Sequence, residues 1–88
     1  MDEEQVTAAL GEIVQEVAGV DPARLERPTR FADDLDIDSL TMVEIVTAAE
    51  DRFDVRVPDA DIEGLATVGD AVDYILAARA AAESAQPA

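Results

Sequence analysis

Asp33-Asp34-Leu35-Asp36-Ile37-Asp38-Ser39-Leu40 sets four acids within six positions, immediately before an apolar pattern of helical period. Three readings compete. As a calcium loop, Asp34, Asp36 and Asp38 fit the Asp-x-Asp-x-Asp opening, but the sixth position needs glycine and holds Ser39. The twelfth needs a bidentate glutamate and holds Ile45, so the main ligand is missing and no metal site is expected. As plain architecture, Asp38 caps a helix and Ser39 is an ordinary first-turn residue. As chemistry, Ser39 is an exposed hydroxyl at a helix N-terminus, where free N–H groups and the dipole suit a phosphate ester. The surrounding acids oppose a free phosphate, but they suit an enzyme that brings its own cations.

Reading outward from Asp38, Met42, Ile45, Val46, Ala49 and Phe53 mark one face of a helix ending near Asp54. Upstream, residues 20–37 carry Pro22 and Pro28 and no period. A loop this long in a small domain tends to be functional. Val20, Leu25, Phe31, Leu35 and Ile37 are placed to pin it down, and Asp21-Pro22 can start a short turn. Before the loop, Asp2 and Gln5 form a capping-box pair. Val6, Leu10, Ile13, Val14 and Val17 then predict a helix over about 3–18, ended by Gly19. Downstream, Pro58-Asp59 opens a short turn through Ile62 to Gly64. Thr67 caps a last helix with Asp70 in its first turn and Val68, Val72, Ile75 and Leu76 on its buried side. The expectation is an all-α fold, a small four-helix bundle of three longer helices and one short one, with a long loop between the first two. The ordered domain is expected over 1–79, with 80–88 a frayed or disordered tail.

Twenty-one acids against six arginines give a net charge of −15. Such a surface repels nucleic acid and anionic membrane and attracts basic protein patches. Neither histidine nor cysteine is present, so thiolate, zinc and neutral-pH proton-shuttle chemistry are absent. No lysine or histidine can activate a serine, and the chain is too small for a carboxylate-lined cleft, so no catalytic residue is expected. The acidic N-terminus is no signal peptide, and no apolar run approaches the roughly 20 residues of a membrane span. A cytoplasmic protein is expected, and strong self-repulsion suits a monomer.

The second helix is apolar beyond its core stripe. Leu40, Val43 and Thr47 form an adjacent strip flanked by Glu44, Glu50 and Asp51. An apolar strip bordered by acids suits docking against a basic-rimmed groove, although a core-facing arc can also be this wide.

The stretch from Phe31 to Leu40, followed by Met42-Val-Glu-Ile-Val46, Glu50-Asp-Arg-Phe53, Val57-Pro-Asp59, Thr67-Val-Gly-Asp70 and Tyr74-Ile75, resembles the acyl carrier proteins, most of all the freestanding bacterial fatty-acid-synthesis type. The resemblance implies that a phosphopantetheinyl transferase moves 4′-phosphopantetheine from coenzyme A onto Ser39. The arm's terminal thiol would hold acyl groups as thioesters, and partner enzymes such as transacylase, ketosynthase, reductases and dehydratase would act on them. Asp38 and Leu40 match transferase-contact positions. Val43, Glu44, Thr47, Glu50 and Asp51 match the recognition face of the second helix. Val57, Asp59 and Glu63 match a further partner- and arm-contact region. Asp36 stands where the family often has glycine, Thr41 where many members have aspartate, and Ala49 where a larger aliphatic is common. Ala49 is expected to leave room for an acyl chain. A carrier for a dissociated polyketide pathway, and an unmodified acidic interaction module, are the rival readings. Asp36-Ile37 before Asp38 disfavours a peptidyl carrier.

Overall fold

The computed structural model describes the backbone of residues 1–85. Helix α1 spans Glu3–Ala18, α2 Ser39–Phe53, α3 Asp59–Ile62 and α4 Val68–Ala85, with a 3₁₀ turn at Pro22–Arg24 in the long loop. Among the described residues there is no strand beyond an isolated bridge between Arg30 and Thr67.

Local chemistry sets these boundaries. Asp2 accepts from the Gln5 N–H while Gln5 accepts from the Asp2 N–H, a reciprocal cap at the start of α1. At its end Gly19 takes φ 70°, a left-handed conformation that costs glycine nothing, and donates to the Gln15 carbonyl. Thr67 and Asp70 exchange the same pair of bonds at the start of α4. Asp21 caps the 3₁₀ turn through the Ala23 N–H.

Helices α1, α2 and α4 pack around Val6, Leu10, Val14, Ile45, Phe53, Val68 and Val72, all almost fully buried. The long loop supplies five more core residues, Val20, Leu25, Phe31, Leu35 and Ile37, as its spacing predicts. Its second half is laced to the start of α4. Phe31 donates to the Ala66 carbonyl, Val68 to the Thr29 carbonyl and Gly69 to the Arg27 carbonyl. Gly69 is needed there, because a Cβ would lie 3.0 Å from the Arg27 carbonyl oxygen. The Arg27 guanidinium reaches Glu3 of α1 and Asp73 of α4 at 2.5 and 2.7 Å, tying loop and both helices together.

One boundary differs from expectation. Residue 79 was to end the ordered domain, but α4 runs on through Ala85. Alanine, arginine and glutamate propagate a helix without an apolar stripe. The Arg79 guanidinium also donates to the Phe53 carbonyl at 2.6 Å, fastening α4 to the last turn of α2. Residues 86–88 of the expected tail lie outside the described residues. Leu76, expected on the buried stripe, is half-buried, while Ala71 joins the core instead.

Candidate functional site

The N-terminus of α2 is built by Asp38. Its side chain accepts from the Thr41 N–H at 2.8 Å and its carbonyl accepts from the Met42 N–H. The Thr41 main-chain N–H, helped by the Thr41 hydroxyl, holds the Asp38 carboxyl below its usual range. Ser39 follows as the first helical residue and is exposed. The preceding loop is tightly folded: Ile37 donates to the Phe31 carbonyl, and Asp36 takes φ 56°. That left-handed angle accounts for the usual glycine at this place in the family resemblance, and aspartate tolerates it better than most residues. Asp34 accepts from the Arg30 N–H. Two of the four acids thus serve the backbone, and among the described residues no group of three or more potential ligands is placed to hold a metal ion.

Two grooves open beside Ser39. One, of about 410 Å³, lies between α2 and α3 and is lined by Ser39, Met42, Val43, Asp59, Ile62 and Glu63. The other, of about 290 Å³, runs past Arg30, Phe31 and Asp33 toward Leu65. Beneath them sits an apolar cavity of about 20 Å³, walled among others by Met42, Val46, Ala49, Val57, Leu65 and Tyr74. Ala49 does line it, as the sequence suggests. The space is little more than one water's worth, so a longer chain requires its walls to part.

The predicted recognition residues divide. Leu40 and Val43 are 72% and 45% exposed, large for apolar side chains, and Thr47, Glu44 and Asp51 are exposed beside them. The Thr47 hydroxyl turns back to the Val43 carbonyl, leaving its methyl to the strip. Asp59 and Glu63 are exposed at the two ends of α3. Val57, which the resemblance puts in the partner- and arm-contact region, faces inward. It is only 7% exposed and walls the cavity, because its N–H is drawn onto the Glu50 carboxylate at 2.9 Å. Glu50, half-buried, is therefore a fastener of the α2–α3 connection as well as a neighbour of the strip. Sequence reasoning also passed over Tyr74, whose hydroxyl donates to Asp61 at 2.7 Å and ties α3 to α4. Its pairing with Val57-Pro-Asp59 in one motif frame was the available signal.

An exposed serine at a capped helix end, in a chain with no histidine or lysine to activate it, is placed to accept a group rather than to attack one. It lines two grooves of about 290 and 410 Å³, with an apolar cavity walled in part by the same Met42 and Leu65, and these features fit a phosphopantetheine group. Residues 8–75 match the family described as Phosphopantetheine attachment site. The chain is 51% identical over 75 residues to the acyl carrier protein of Acidothermus cellulolyticus, covering 85% of this chain and 89% of that one. It is 51% identical over 73 residues to the meromycolate extension acyl carrier protein of Mycolicibacterium smegmatis, covering 83% and 74%. A solved structure of acyl carrier protein from Enterococcus faecalis superposes with a TM-score of 0.75 at 32% identity, covering 89% of this chain and 99% of that one. The chain belongs to the acyl carrier proteins of the phosphopantetheine-attachment family. It is a carrier and not an enzyme, and its prosthetic group is covalent phosphopantetheine, whose terminal thiol supplies the chemistry that a chain without cysteine lacks. This role requires a phosphopantetheinyl transferase and acyl-processing partners. Among the described residues, no helix is long and apolar enough to cross a membrane.

Proposed function

We propose that Ser39 carries the arm and that the protein shuttles fatty-acyl intermediates between separate synthesis enzymes in the cytoplasm. The observation that carries this reading is the exposed Ser39 at the capped start of α2, lining two grooves that both share Met42, and one of them Leu65, with an apolar cavity. Leu40, Val43 and Thr47, with Glu44 and Asp51, form the face that docks on basic patches of transacylase, ketosynthase, reductases and dehydratase. Opposite potentials steer such encounters, and the apolar strip seats the helix. The acyl chain enters beneath α3, parting Val57 and Leu65 from α2.

The name of the mycobacterial relative favours a second setting, extension of much longer chains. A cavity of about 20 Å³ shelters little of such a chain, which would then pass mostly through the partner's own tunnel.

The test is intact mass after incubation with coenzyme A, Mg²⁺ and a broad-specificity transferase, with Ser39→Ala alongside. A gain of about 340 Da, the mass of the phosphopantetheine group, that disappears in Ser39→Ala is expected. A gain that persists in Ser39→Ala contradicts the assignment.

A further inference from the structure

We infer that Arg30 is the counter-ion of the phosphodiester that joins the arm to the protein, an inference that rests on Ser39 being the attachment residue. A phosphodiester keeps one negative charge at neutral pH. The charged residues lining the α2–α3 groove, Asp59 and Glu63, are both acidic. Those lining the groove on the loop side are Asp33, Asp38, Glu63 and Arg30. Arg30 is thus the single cation on either described path leading from Ser39. The N–H groups at the start of α2 favour an anion, but Asp36 and Asp38 sit beside them, and Asp38 has already taken the Thr41 N–H.

Arg30 is also the arginine built to respond. Its main chain is fixed, since its N–H donates to Asp34 at 2.8 Å and its carbonyl accepts from the Asp34 and Leu35 N–H groups. Its head makes no hydrogen bond, because the side chain is 60% exposed and its closest carboxylate oxygen, on Asp33, is 3.8 Å away, beyond hydrogen-bond reach. Of the other five arginines, Arg56 is exposed but lines neither groove, and the remaining four are committed. Arg27 and Arg52 hold carboxylates at 2.5–2.8 Å, and Arg24 and Arg79 donate to main-chain carbonyls. A planar guanidinium with spare donors matches two phosphate oxygens at once, so it would outcompete the long contact to Asp33. The pairing draws the phosphate toward the loop side of α2, leaving the recognition strip at Leu40 and Val43 uncovered. Cations of a docked enzyme can then take over the phosphate and free the arm. Arg30 is a positioning residue for the prosthetic group.

The experiment follows the arginine Nε–Hε resonances of the full chain, and the ³¹P line of the arm, through conversion of apo to holo protein, with mass confirming conversion. The Arg30 Nε–Hε resonance is expected to move on conversion while those of Arg27 and Arg52 stay in place. The shift should collapse in about 1 M salt, where the screening length is about 3 Å. In holo Arg30→Gln the ³¹P line should move away from the wild-type position, and Arg30→Lys should restore it in part. Mass gain with an unmoved Arg30 resonance, or a ³¹P line identical in Arg30→Gln and wild type, overturns the pairing alone. Failure of the mass gain would bring down both this inference and the assignment of Ser39.

Discussion

Helices α3 and α4 follow one another in the chain and are made in opposite ways. Helix α4 opens on a reciprocal Thr67–Asp70 cap and buries Val68, Ala71, Val72 and Ile75. Helix α3 is a single turn. It has no side-chain cap, buries none of its four residues, and is joined to α4 through Tyr74 and Asp61. An isolated turn of this length does not hold itself together, so its order comes from its attachments. The segments flanking α3, through Val57 and Leu65, wall the apolar cavity. The difference separates a three-helix frame that stores the stability from a lightly fastened flap over the space where cargo would lie. Local opening takes place where few apolar contacts resist it.

Substitution should separate frame from flap. Phe53→Ala removes a fully buried ring and should cost about 3–5 kcal/mol, a large part of a small domain's stability. Ile62→Ala, at the one half-buried residue of α3, should cost under about 1.5 kcal/mol, in the range of partial apolar burial. Equal losses in denaturant titration would erase the distinction. Next in size, Thr67→Ala should lower stability by about 1 kcal/mol through loss of the α4 cap. This should show as a lower denaturation midpoint with an unchanged m-value.

Tyr74→Phe cuts the tie between flap and frame. Its effect should be under about 1.5 kcal/mol, the net range of a hydrogen bond. It should appear as faster amide exchange in 61–65 with little change in global melting. The bond to Asp61, then burial, raises the Tyr74 phenol above its usual value. The fold therefore favours the protonated phenol. That contribution is whole below about pH 10, the unfolded value, and is lost as pH rises through the higher folded one. The wild-type flap should loosen in that alkaline range, and the Tyr74→Phe flap should not change there.

Asp38→Asn should have the smallest effect and the opposite pH sign. Asparagine keeps the cap and loses the charge. Because the folded Asp38 value is depressed, its charge stabilises the fold above about pH 4, the unfolded value, and less as pH falls through the folded one. The gap in melting temperature between wild type and Asp38→Asn should close in acid. A gap that widens in acid would contradict the capping geometry.

What the sequence could disclose follows the same divide. Frame elements advertise themselves locally: Asp2 with Gln5, Gly19, Asp38, Thr67 with Asp70, and apolar residues at helical spacing. The loop anchors were legible because Val20, Leu25, Phe31, Leu35 and Ile37 have nothing else to pack on. The flap and its fastenings were not. Glu50 to Val57, Tyr74 to Asp61 and Arg79 to Phe53 join groups 7, 13 and 26 residues apart. Such partners are chosen by tertiary placement, on which periodicity is silent. For that reason the inward placement of Val57 was not legible, and α4 read short although it runs through Ala85. At the site, Ser39 was reached from local capping geometry and the family resemblance together, whereas Arg30 emerged only once the loop was folded against α2.

The most direct test of the frame-and-flap division is amide hydrogen exchange on holo protein and on protein carrying an eight-carbon acyl thioester. The account predicts that amides of 57–65 exchange fastest in the holo form and change most on acylation, while those of α1 and the first three turns of α4 stay fixed. Equal protection of α3 and α4 in the holo form, or acyl-dependent change centred on α1, would contradict it.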